Sequence, residues 1–531
     1  MTRNFEAPVR SFSATTNGMA ATSHMLSTLA AVNILQDGGN AMDAAIGACA
    51  VQCVVEPGST GIGGDCFALI APQGSDKVVA FNGSGRAPAG ASAAKLRAEG
   101  LTAIPRQSPH AVTISGAVDA WAQLNRDHGR KSLGDILQPA IRLARDGYAI
   151  TPRVAFDWAS QESLMRGDAD TAAVFLPDGR PLRAGEKHRQ PALAATLARI
   201  GEEGPDAFYK GAVAQEIVEK LQRLGGCHTL ADYASAKGEY VTPVKTNFRG
   251  YDVHECPPNG QGIIALMILN ILSGYHGEGD PMSADRLHIE IEAARLAYAV
   301  RDAVLGDPAT TKMPVEWLLS RELADELRAQ IDLKARIATL PPVVVPQHRD
   351  TVYISVVDKD RNAVSFINSL FNIWGSGITA PKSGVVLQNR GQGFNLIEGH
   401  ANELAGGRRP MHTIIPGMLT KGGRAIMPFG VMGGAYQATG HAHLLSKVFD
   451  YGMDLQGAID LPRVFPSLVD DTVEVENTLS PELCAELDRR GFRTVPAGRP
   501  LGGAQAIWID WENGTLTGGS DPRKDGCAMG Y

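Results

Sequence analysis

An α+β fold is predicted for this 531-residue chain by three observations. Helical patterning dominates to about residue 335, strand patterning takes over after Thr351, and a Pro-rich break (LPPVVVPQHRD, 340–350) separates the two. With 50 basic and 57 acidic residues the net charge is −7, and 44% hydrophobic content is enough for one large layered core. There is no Lys/Arg cluster, so nucleic acid is not an expected partner. Seven scattered cysteines without a CxxC pair read as reduced thiols of a cytoplasmic protein. The opening MTRNFEAPVRSF has no apolar signal stretch, and the most apolar run, 262–273, falls short of the ~20 residues a membrane span needs.

The elements follow in order. Ser23–Gln36 predicts a helix with Met25, Leu29 and Val32 on one apolar face, stopped by Gly38-Gly39. Asn40 caps a second helix, with Asp43 at its third position, that runs to about Val54. A glycine-dense loop, Gly58–Asp65, leads into a buried strand pair at Cys66–Pro72 and Lys77–Phe81. The middle, about 115 to 335, reads as mainly helical, clearest at Val213–Leu224 and Ser283–Val304. Beyond Asp350 the sequence predicts a hairpin, VYISVV–turn–AVSFINSL.

Common motifs fail on their context. The glycine loop lacks the Lys-Ser/Thr of a phosphate cradle and follows a helix, unlike a dinucleotide fingerprint. His348-Arg349-Asp350 has no accompanying kinase loops, and His441 with His443 has no third ligand, so no metal is expected.

Thr351, the first residue of the strand after the Pro-rich break, is the position of chemical interest. A threonine hydroxyl is a weak nucleophile, and a free α-amine on the same residue provides the base it needs. Taken alone, Thr351 reads far more readily as a plain strand former. A symmetric hairpin about Asp358–Asn362 would pair residues whose numbers sum to 720, placing Ser369 opposite Thr351 with Cβ atoms about 5 Å apart. After the Ala425–Phe429 strand, Gly433 and Gly434 offer adjacent backbone N–H groups of the kind an oxyanion needs, or form an ordinary turn.

Five ordered blocks together resemble the γ-glutamyltranspeptidase family of N-terminal nucleophile hydrolases. They are GGNAMDAAIGACAVQCVVEPGSTGIGGDC from Gly38, PPNGQGIIALMILNILS from Pro257, TVYISVVDKDRNAVSFINSL from Thr351, GRRPMHTIIPG from Gly407 and GGSDPRKDGC from Gly518. The resemblance implies a four-layer αββα sandwich and a precursor that cuts itself between Asp350 and Thr351. The products would be a large chain, 1–350, and a small chain, 351–531, folded as one unit. It further implies Thr351 as nucleophile, Ser369 as its support, and Gly433 with Gly434 as the oxyanion pair. No metal or organic cofactor is implied, and a homodimer of processed heterodimers is compatible with it.

Departures from the family pattern bear on substrate. Ser84 stands where glutamate-specific members have a carboxylate-binding arginine, and Arg86 follows two residues later. Phe371 replaces an asparagine, Arg390 a glutamine, Gly393 the aspartate that binds an α-amino group, and His412-Thr413 a serine pair. The ammonium-recognising groups are lost while arginines are kept or added. A small acidic amide without an amino group is therefore the expected substrate, its carboxylate held by Arg86 or Arg390 with His412 and Thr413 nearby. Either arginine reads equally well as an ordinary salt-bridge partner. Within the family these features fit the oxamate-hydrolysing branch, a cytoplasmic activity of purine nitrogen catabolism that yields oxalate and ammonia. The alternatives are a γ-glutamyl hydrolase or transpeptidase, a glutaryl-type acylase, and an uncleaved binding protein without catalysis.

Overall fold

The computed structural model describes residues 9–340, 351–467 and 470–531; Asp350, and with it the expected cleavage bond, lies outside the described residues. Two seven-stranded sheets form the centre. The first runs β1 (Ser13–Thr15), β13 (Thr515–Ser520), β12 (Gly503–Asp510), β11 (Arg424–Met432), β10 (Gly417–Lys421), β7 (Tyr251–Glu255) and β6 (Val244–Phe248). The second runs β14 (Cys527–Gly530), β2 (Met19–Thr22), β8 (Val352–Val357), β9 (Ala363–Ser369), β3 (Asp65–Ala71), β4 (Val79–Gly83) and β5 (Glu239–Val241). All pairings in both are antiparallel.

Side-chain parity along the strands builds the layers. On β8, Ile354 and Val356 join a core with helices α1 (Met25–Gln36), α2 (Ala41–Val55), α3 (Leu133–Asp146), α4 (Pro191–Glu203) and α5 (Ala212–Arg223). Tyr353 and Val357, on the other face, pack against Ile414, Met418, Met432 and Ile507 between the sheets. The outer face of the first sheet, through Met427, Phe429, Val431, Ala504 and Ala506, meets α6 (Gly262–Leu272), α7 (Ala284–Val304) and α8 (Tyr436–Tyr451). Three cores between four layers make this an α+β αββα sandwich. Strands from before and after Thr351 share both sheets, and β8–β9 is inserted between β2 and β3.

Helix α2 starts as its sequence predicts. Asn40 and Asp43 form a reciprocal capping box, and Asp43 also accepts the Arg130 and Lys131 amides and the Asn125 side chain. Asn40→Ala should cost about 1 kcal/mol, read as a lower urea midpoint at unchanged slope. Two expectations need correction. Met25 and Leu29 of α1 are exposed, and its buried face is mostly small: Ser27, Thr28, Ala30 and Ala31 beside Val32, Ile34 and Leu35. Close helix packing explains this, since a Cβ on Gly47 of α2 would stand 2.3 Å from Ile34 Cδ1. The helical middle also contains β5, β6 and β7; β5 and β6 are edge strands, on opposite sheets, whose polar residues mask the strand pattern.

Candidate active site

The hairpin β8–β9 has the register the sequence predicts: Val352 faces Asn368 and Val357 faces Ala363, each pair summing to 720. Thr351 Oγ donates to Ser369 Oγ at 3.0 Å, and both residues are fully buried. Ser369 Oγ also accepts the Phe371 N–H at 3.0 Å. Ser369 pairs in turn with Asp65 on β3, so three neighbouring strands bring Thr351, Ser369 and Asp65 to one end of the inter-sheet face. The glycine-dense loop makes room for this end. A Cβ on Gly64 would lie 2.2 Å from Ser369 O, and Asn368 Nδ2 holds the loop through Thr60 Oγ1 (2.8 Å) and Gly61 O (3.1 Å).

The opposing sheet delivers the glycine pair. Ser355 Oγ donates to Pro428 O at 3.1 Å, and the Tyr353 ring lies against Gly430. Moving from 355 to 353 along β8 thus advances from 428 to 430 along β11, which puts Thr351 towards the 432–434 end. There β11 gives way to Gly433 (φ 124°) and Gly434 (φ 63°), backbone angles that disfavour a side chain. Their carbonyls are taken, Gly433 O by the Tyr436 amide (3.1 Å) and Gly434 O by the Gln437 amide (3.2 Å). Among the described residues neither glycine N–H is taken up by a protein acceptor.

Arg390 is brought to this end, beside Phe371 and Thr413. It is fully buried, its guanidinium carbon 4.4 Å from the Phe371 ring centroid, and its Nη1 donates to Thr413 Oγ1 at 3.1 Å. Among the described residues, Nε and Nη2 have no hydrogen-bond partner. Burial without an ion pair pulls the pKa of this side chain down to about 9, against an opposing pull from Asp65. Phe371 holds φ +81°, a costly conformation for an aromatic residue, which turns its N–H onto Ser369 and its ring under Arg390.

Two of the expected substrate contacts are otherwise engaged. Both His412 nitrogens are used: Nε2 meets Asp65 Oδ2 at 3.1 Å and Nδ1 faces the Ile414 amide at 3.4 Å. Burial and the nearby Arg390 push the His412 pKa down to about 3, so the ring is a neutral donor to Asp65. Arg86 points away to Asp307 (3.5 Å) and Gly407 O (3.0 Å), with its side chain 40% exposed. Ser84 Oγ accepts the Asn259 side chain at 3.2 Å, and a Cβ on Gly393 would already stand 2.8 Å from Met411 O, leaving no room for an acidic side chain. His441 and His443 sit on a helix, each against a buried glutamate, Glu255 and Glu290, and no metal-binding cluster occurs among the described residues.

Asp65, Gln388 and Gln261 were not singled out by the sequence. Asp65 Oδ1 accepts the Gly85 and Gly116 amides and Gln388 Nε2. Its one legible signal is its place at the end of the glycine run.

The sequence pattern of the gamma-glutamyltranspeptidase family matches residues 27–531. The glutathione hydrolase-like YwrD proenzyme of Bacillus subtilis (strain 168) is 38% identical across 97% of this chain and 98% of its own length. The oxamate amidohydrolase proenzyme of Klebsiella pneumoniae subsp. pneumoniae is 33% identical across 98% and 100%. Cephalosporin acylase from Bacillus halodurans superposes with a TM-score of 0.92 at 38% identity, covering 100% of this chain and 99% of that one. With this coverage added to the fold and the site, the chain belongs to the gamma-glutamyltranspeptidase family.

Proposed function

We propose that this chain is a self-processing amidohydrolase that uses Thr351 as an N-terminal nucleophile on a small amide whose acyl part carries a carboxylate. In the precursor, Thr351 Oγ attacks the Asp350 carbonyl; the peptide C–N bond gives way to an ester, and water hydrolyses it into chains 1–350 and 351–531. The freed α-amine then takes the Oγ proton as substrate is attacked. Gly433 and Gly434 N–H groups hold the oxyanion, the amine leaves with the proton, and water releases the acid.

The observation that carries this reading is the buried Arg390, with two unpartnered N–H groups, joined through Phe371 to the Ser369–Thr351 pair. A guanidinium fork left open in the interior fits a carboxylate. No acidic side chain stands at Gly393 to receive an α-ammonium, so oxamate, the smallest such amide, is the proposed substrate. The relative named as an oxamate amidohydrolase supports that choice, and the one named glutathione hydrolase-like defines its competitor.

Ammonia release by the purified, processed protein tests it, with oxamate and glutamine assayed in parallel. Release from oxamate alone is expected. Release from glutamine alone would overturn the substrate and return the chain to γ-glutamyl chemistry. Silence with both would also overturn it, moving the carboxylate farther from the amide, as in glutaryl-type acyl groups.

A further inference from the structure

Gln261 precedes α6 and is fully buried. The apolar helix that follows it fills the outer core. Both Nε2 hydrogens are committed, one to Thr413 O at 2.9 Å and one to Gly434 O at 3.0 Å. Arg301 Nη1 donates to Gln261 Oε1 at 3.0 Å. Two carbonyls on one side and a guanidinium on the other leave a single orientation for this carboxamide. Arg301 is itself fixed, with Nε on Asp302 Oδ1 at 2.6 Å and its guanidinium carbon 4.7 Å from the Tyr298 ring centroid. Tyr298 OH then donates to Ala435 O, the next carbonyl of the same turn.

The two acceptors of Gln261 belong to different parts of the site. Thr413 carries the hydroxyl that receives the one hydrogen bond of Arg390, and Gly434 is half of the glycine pair. We propose that Gln261 is a positioning residue whose single carboxamide sets the oxyanion turn and the carboxylate-binding wall in register, with Tyr298 holding the far side of the turn. This rests on the reading of Gly433 and Gly434 as the oxyanion pair and of Thr351 as nucleophile. A displaced turn aims its N–H groups away from the developing charge, and misplacement on the scale of 1 Å costs about 100-fold in rate.

Acylation of the processed protein by p-nitrophenyl acetate tests the proposal. This ester has no carboxylate, so it reads nucleophile and oxyanion turn without Arg390. In Gln261→Met, which keeps the length and loses both donors, the acylation rate should fall about 100-fold. In Tyr298→Phe, which removes one hydroxyl and leaves the ring, it should fall about 10-fold, one hydrogen bond's worth. A purely structural role would lower the melting temperature while leaving the rate per folded molecule unchanged. Wild-type rates within twofold in both variants would overturn the proposal; should Gln261→Met fail to fold, Tyr298→Phe decides alone. Thr351→Ala is the control for the underlying reading. Acylation of that variant at the wild-type rate would remove the nucleophile itself, a different outcome from unchanged rates in the positioning variants.

Discussion

Thr351→Ala is expected to stay a single 531-residue chain on a denaturing gel and to release no ammonia above background. Alanine has no hydroxyl to attack the preceding carbonyl, so no ester forms and no α-amine is liberated. The loss is double, since the variant lacks both the nucleophile and the base that would activate it. Removing a nucleophile from a comparable constellation costs on the order of 10⁴- to 10⁶-fold in rate. Thr351→Ser separates the chemistry from the fold. It keeps the hydroxyl and loses only the methyl that restricts χ1, so it should process and turn over, more slowly. Ser369→Ala removes the oxygen that accepts the Thr351 hydroxyl at 3.0 Å and should process more slowly than wild type for the same geometric reason. Two bands from Thr351→Ala, with cleavage at the expected bond, would refute the assignment of the nucleophile.

The hairpin shows what sequence can disclose about such a site. Period-two pairing about a short turn determines which residues oppose each other, so Ser369 is legible in the sequence as the partner of Thr351. Asn40 and Asp43 were legible for a related reason, because a helix cap is a local pattern. What resisted reading was long-range. Gln261 lies 152 residues from Thr413 and 173 from Gly434, and nothing in its own neighbourhood announces either partner. Arg86 and Arg390 looked interchangeable as sequence. They part only in the fold, where Asp307 claims the first and Phe371 carries the second. The commitment of His412 to Asp65 was hidden for the same reason, since it spans 347 residues.

Arg390→Met should lower kcat/KM for a carboxylate-bearing amide by about 10²- to 10⁴-fold, the range for truncating one partner of a buried, hydrogen-bonded charge pair. Arg390→Lys should not restore it, because an ammonium cannot reproduce two parallel N–H groups from a planar fork stacked on Phe371. Acylation by p-nitrophenyl acetate, which presents no carboxylate, should change far less in either variant. The empty protein should respond in the opposite sense. A guanidinium buried with Nε and Nη2 unpartnered costs free energy, so methionine at this position should raise the melting temperature of the ligand-free enzyme. Oxalate, the expected product, completes the argument without any turnover. An anion that fills the open fork stabilises the folded state by RT ln(1 + [L]/Kd), about 2.7 kcal/mol at 100 times Kd. The wild-type melting temperature should therefore climb with oxalate concentration, and that of Arg390→Met should stay flat. Equal oxalate shifts in the two proteins would place the carboxylate elsewhere, and Arg390 would then be a strained piece of the core with no ligand to justify its burial.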